Sequence, residues 1–158
     1  MPGIVAAPCV SAIYIAPDRG LALQEVGEVL ALAGAGLAGD RYQLGRGSFS
    51  RWPGDGRAAS FIAAEAIEAI LAETGLDLSN GRSRRNIVSR GVDLAALNGR
   101  KFRIGEAVFR GTRLCTPCKY LERLIGPGTF EALKGRGGLR ADILETGMIR
   151  AGDEVVIL

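Results

Sequence analysis

The order of elements along this chain predicts a mainly β fold, a closed or partly closed β-barrel with a few short helices. Short apolar segments of strand length recur at close spacing with glycine turns between them. Only one stretch keeps a helical period for several turns. That pattern favours a barrel with decorating helices over a doubly wound sheet.

The elements follow in order. Residues 10–15 (VSAIYI) are β-rich and form a first strand, followed by a Pro17-Asp18-Arg19-Gly20 turn. Residues 24–32 (QEVGEVLAL) alternate loosely and are expected as one strand, with a short helix as the alternative. Residues 36–42 form a glycine-punctuated loop. Residues 43–57 have four glycines, Pro53 and no period, the mark of a flap or a site loop. Ser60-Phe61-Ile62 is a brief strand. Residues 63–74 are the clearest helix: Ile67, Ile70 and Leu71 recur at i, i+3 and i+4, and Gly75 follows as the stop.

Residues 84–88 (RRNIV) are expected as a strand, residues 93–97 as one helical turn and Asn98-Gly99 as a tight hairpin turn. Residues 101–104 and 107–114 form a hairpin turned at Gly105-Glu106. Two short helices, 119–125 and 130–133, flank Gly126-Pro127-Gly128. Residues 139–144 and 154–158 are closing strands, joined through Gly147 and Ala151-Gly152-Asp153. No repeat or linker divides the chain, so residues 1–158 are expected as a single domain.

Composition narrows the chemistry. The chain has no histidine, which excludes an imidazole base, a Ser-His-Asp triad and His-ligated zinc. A net charge of +3 does not by itself imply a nucleic-acid partner. Arginine supplies 17 of the 20 cationic side chains, leaving only Lys101, Lys119 and Lys134. Arginine is the better residue for two-pronged grips on phosphate or carboxylate, although a GC-rich genome produces the same bias. No segment approaches the ~20 apolar residues of a membrane span. Three cysteines without a secretory leader point to a reducing compartment, the cytoplasm.

The cysteines carry most of the chemical signal. Leu114-Cys115-Thr116-Pro117-Cys118-Lys119 lies where a strand is expected to turn into a helix. A helix start and Lys119 both favour an ionised Cys118, and a thiolate attacks sulfur or ligates soft metals. The competing readings are a buried inert thiol, half of a zinc site and a thioredoxin-like dithiol oxidoreductase using Cys115 and Cys118. Zinc lacks ligands here, since only Cys9 and carboxylates remain. The dithiol reading expects a parallel βαβ core. Arg84 and Asn86, two apart on an expected strand, would share one face with Arg85 on the other. They suit an oxyanion; the alternative is a solvated face carrying Arg82, Arg84, Arg85 and Arg90. Gly39-Asp40-Arg41 is either an anion nest or plain turn chemistry. Arg136-Gly137-Gly138 is either a turn or a second phosphate-facing loop.

Taken in order, these pieces resemble the MOSC domain, the module named after the C-terminal part of molybdenum cofactor sulfurase. The resembling segments are residues 36–42, residues 84–88 with Gly91-Val92-Asp93-Leu94, residues 97–105, Thr116-Pro117-Cys118 and residues 147–153. The resemblance implies a β-barrel and a site for molybdenum cofactor (molybdopterin). In metal-bound members the matching cysteine ligates molybdenum, which marks Cys118 as metal ligand and catalytic residue. Arg84, Asn86 and Thr116 correspond to positions at the cofactor. Asp40 and Arg41, in the first matching segment, join them as cofactor-binding candidates. Larger members carry an additional N-terminal barrel, which a chain of this length is expected to lack.

Two functions follow from the resemblance. One is reduction of an N-hydroxylated small-molecule substrate at molybdenum, with a redox donor protein as partner. The other is a sulfur carrier loaded on Cys118 by a cysteine desulfurase and delivering sulfur to metal-sulfur centres. The expectations extend to molybdenum-ion and pyridoxal phosphate binding, with no nucleic-acid partner and no membrane.

Overall fold

The computed structural model describes residues 7–18, 20–41, 43–44, 56–116 and 119–158. Eleven strands are described, and an eight-stranded sheet runs in the order β11-β7-β8-β9-β5-β6-β1-β2. Its members are β1 (Cys9–Ile15), β2 (Gln24–Val26), β5 (Ala59–Ala63), β6 (Ile87–Arg90), β7 (Lys101–Ile104), β8 (Ala107–Leu114), β9 (Leu139–Glu145) and β11 (Val155–Ile157). A smaller sheet pairs β10 (Gly147–Arg150), β3 (Glu28–Leu32) and β4 (Gly36–Leu37) in that order. The helices are α1 (Ala64–Thr74), α2 (Lys119–Ile125) and α3 (Thr129–Ala132), with a 3-10 turn at Leu94–Leu97. The chain is therefore mainly β. The large sheet is not hydrogen-bonded into a continuous ring, but its ends approach one another. Cys9 bridges Glu154, the Val10 amide donates to the Asp153 carbonyl at 2.8 Å, and the Val155 amide donates to that of Pro8 at 2.8 Å.

Both sheets close on one apolar core. Val10 and Ile13 from β1, Val29 from β3, Leu37 from β4, Phe61 from β5, Ile149 from β10 and Val155 from β11 belong to it. At its centre Phe61 meets Phe102 and Phe109 edge-on, at centroid distances of 5.6 and 5.7 Å, while Phe102 and Phe109 stack at 5.5 Å. These are favourable offset and T-shaped arrangements. In β1 the register with β6 shifts between Val10 and Ala12. The bulge lets Val10 and Ile13 both face this core, while Tyr14 faces the opposite layer.

A second layer lies outside the large sheet. β5 and β6 pair in parallel, joined through α1. Ile67 and Ile70 of α1 pack with Ile62, Val88 and Tyr14 on the outer face. β5 is thus covered on both sides, and its residues 59–62 are all buried. Gly75 ends α1 with φ +78°, its amide bonded to the Leu71 carbonyl, as the sequence indicates.

Several expected boundaries move. Residues 24–32 split at Gly27, because β2 pairs with β1 whereas β3 pairs with β10 and β4 in the other sheet. Gly36 and Leu37 form strand β4 inside the expected loop. Asn98-Gly99 is not a two-strand hairpin turn. It leads from the 3-10 turn into β7, with the Gly99 amide bonded to the Gly111 carbonyl at 2.8 Å. Gly147 begins a strand that the sequence reading missed. It is small because a Cβ there would sit 2.2 Å from the Glu106 carbonyl carbon. Residues 45–55 of the expected site loop lie outside the described residues.

Replacing Phe102 with alanine empties the centre of the aromatic cluster. The variant should unfold in urea with a loss of about 3–5 kcal/mol. A loss below ~1 kcal/mol would contradict this view of the core.

Candidate functional site

The residues expected on one strand face, Arg84 and Asn86, precede β6 rather than belong to it. Arg84 has φ +64°, a left-handed backbone, so the alternation of a strand does not apply. The three consecutive side chains go to three different places.

Asn86 is buried in the main sheet. Its Oδ1 accepts from the Ser60 amide at 3.2 Å and from Ser60 Oγ at 3.1 Å. Its Nδ2 donates to the Tyr14 carbonyl at 3.1 Å. Asn86 therefore fastens β5 to β1 at the entry to β6.

Arg85 is also buried, at 6% exposure, and its Nε donates to the Gly137 carbonyl at 3.0 Å. The expectation that it lies on a solvated face fails for this residue. It holds for Arg82 and Arg90, which are exposed and paired with Asp77 and Glu68. The Arg84 guanidinium turns outward and donates to the Leu21 carbonyl. Burial and then the nearby Arg41 charge depress its pKa.

The Asp40-Arg41 segment closes over this arrangement. Asp40 is 2% exposed, and its Oδ1 accepts from the Ala16 amide at 3.1 Å and from Arg41 at 3.1 Å. A second Arg41 nitrogen reaches the Arg84 carbonyl at 3.4 Å. Arg41 thus joins the loop after β4 to the segment before β6.

Arg140 is the residue that sequence reasoning missed. It lies on β9, paired in register with Ser60 of β5 and Arg113 of β8. Its pKa is pushed down to about 10, first by burial. The cations of Arg85, Arg113 and Arg41 push in the same direction, and Cys115 pushes against them. Arg41, Arg85, Arg113 and Cys115 thus all lie within electrostatic reach of Arg140. Cys115 is buried, unpaired with another cysteine, and its amide donates to the Gly138 carbonyl at 2.8 Å.

The Arg136-Gly137-Gly138 segment is a close-packing device. A Cβ on Gly137 would lie 2.7 Å from the Cys115 carbonyl oxygen, and one on Gly138 would lie 1.7 Å from that of Phe61. Arg136 itself is committed to Glu73 at 2.6 Å and to the Ala132 carbonyl at 2.7 Å. Thr116 is exposed at the end of the cysteine segment. Cys118 and Pro117 lie outside the described residues. Among the described residues, no group of three or more cysteine, aspartate or glutamate side chains is placed to hold a metal ion. The cysteine segment follows β8, which is antiparallel to both of its neighbours. The parallel pair, β5 and β6, lies elsewhere in the sheet.

Chemically, this is a place for an anion. Clustered guanidiniums repel one another, and an oxyanion or a thiolate relieves that repulsion. The donor set suits an oxyanion.

The MOSC domain family model matches residues 49–156. No curated protein matches the chain. Among solved structures it is similar to the YuaD protein from Bacillus subtilis, with a TM-score of 0.79, 18% identity and 96% of each chain covered. It is also similar to YiiM from Geobacillus stearothermophilus, with a TM-score of 0.73, 15% identity, and 96% of this chain and 75% of that one covered. For YiiM from Escherichia coli the TM-score is 0.66 at 17% identity, over 95% of this chain and 69% of that one. At these identities the likeness is one of fold.

Millimolar inorganic phosphate at pH 7 should raise the melting temperature by about 5–10 °C at a hundredfold excess over its Kd. Arg140→Gln should remove at least half of that shift. Equal shifts in both proteins would mean that phosphate acts as a general cosolvent and not at this cluster.

Proposed function

The chain belongs to the MOSC family, and from that premise we propose that it binds molybdenum cofactor or carries sulfur at Cys118, in a partly closed barrel. The observation that carries this reading is the guanidinium cluster beside Cys115, three residues before Cys118. Arg41, Arg85 and Arg140 would hold the cofactor's phosphate. Asn86 and Asp40 would position the segments around it. Thr116 would border it and Cys118 would be its metal ligand, while the Arg84 guanidinium, bonded to the Leu21 carbonyl, falls outside this set.

A bound molybdenum centre would supply two-electron reduction of an N-hydroxylated compound, fed by a redox donor protein. The protein's own part would be to favour the ionised thiol and to hold the phosphate end still. The sulfur-carrier form uses the same thiolate. Cys118 Sγ attacks the outer sulfur of a cysteine desulfurase persulfide, and a new S–S bond forms. The old S–S bond breaks, and the donor leaves as thiolate. No net oxidant is needed. No described helix is long and apolar enough to cross a membrane, and the setting proposed is the cytoplasm.

Protein purified from its native host decides between the two forms. Bound molybdenum and pterin, lost in Cys118→Ala, support the cofactor form. One added sulfur by mass on Cys118 after incubation with a cysteine desulfurase supports the carrier form. Neither molybdenum nor added sulfur, in protein that is otherwise folded, would overturn the proposal.

A further inference from the structure

Arg84 opens onto a cavity of about 450 Å³ between the 20–23 segment, the 75–82 segment and the end of α2. That volume lies in the usual range for small-molecule sites. Its apolar lining comes from Leu23, Leu76, Leu124 and Ile125. Arg82 and Arg84 supply two cations against the one carboxylate of Asp77. Asp77 is already engaged, accepting from Ser79 and from Arg82 at 3.0 Å. Arg84 has no carboxylate in ion-pair reach among the described residues, and its described hydrogen bond goes to a backbone carbonyl.

The backbone is bent to make this so. Asn80 and Arg84 are the two non-glycine residues with positive φ among the described residues, at +54° and +64°, and both line this cavity. Asparagine adopts that conformation readily and arginine does not. The bend separates Arg84 from Arg85, sending one guanidinium to the cavity and the other to the cysteine side.

We propose that this cavity binds a small organic anion with an apolar body, a carboxylate carried on a ring or short chain, with Arg84 as its charge partner. The leucines and Ile125 receive the body, and Asn80 offers an amide at the rim. The proposal goes beyond the cysteine chemistry and does not need it. Among the described residues, the other cavities lack this combination. The second cavity of about 450 Å³ carries Glu131 and Arg136, which are already paired with Lys134 and Glu73.

The test is calorimetric titration with 2-naphthoate and with its neutral isostere 2-naphthamide. Wild-type protein should bind the carboxylate at least about tenfold more tightly, the worth of one charged hydrogen bond. Arg84→Met should bring the two ligands to parity while the ring still binds. Leu124→Glu, at an exposed position of the lining, should weaken the carboxylate more than the amide and so lower the preference, and it decides the matter should Arg84→Met fail to fold. Cys118→Ala should keep the full preference, so that failure of the cysteine chemistry leaves this site standing. Equal binding of the two ligands, binding of neither, a preference that survives Arg84→Met, or its loss in Cys118→Ala would overturn the proposal.

Discussion

Asn86 makes its hydrogen bonds where no water can replace them. Its amide bridges the Ser60 amide and hydroxyl on β5 to the Tyr14 carbonyl on β1, at 4% exposure. Leaving those partners unmet would cost about 1–3 kcal/mol each. That cost fixes the chain at one point, and the neighbouring residues inherit their positions from it. Arg85 is directed to Gly137 and the cysteine segment, and Arg84 is directed away. Through the Arg84 carbonyl, Arg41 ties the Asp40 loop to the same point.

The resulting site is one of crowded positive charge on the outer face of the sheet. Burial of Arg140 beside three other guanidiniums is unfavourable by itself, and its depressed pKa expresses that. Nearby Cys115 offsets part of it, and an anionic ligand would offset more. The fold bears this strain because both sides of β5 are packed: the phenylalanine cluster lies beneath it and α1 lies over its outer end.

Much of the fold was legible in the sequence. Alternation over 101–104 and 107–114 gave the β7–β8 hairpin, and the i, i+3, i+4 pattern with Gly75 gave α1. These signals are local. The misses were contextual. Residues 84–86 read as strand because the left-handed residue is Arg84, and arginine carries no mark of that conformation. Arg140 drew no notice because it sits inside the expected strand 139–144, and nothing in that local pattern tells which distant residues share its surroundings. Gly147 read as a turn although it is a point where two backbones pass closely. Of the site, the segments were legible from family resemblance. Which of two adjacent arginines faces the cysteine was not, because that depends on a single backbone dihedral angle.

The most direct test is the pH dependence of Cys118 alkylation in a Cys9→Ser, Cys115→Ser background, with and without Arg140→Gln. The proposed role of Cys118 requires a midpoint clearly below the ordinary value of about 8.5 that Arg140→Gln moves upward. A midpoint at or above 8.5 that ignores Arg140 would contradict the account.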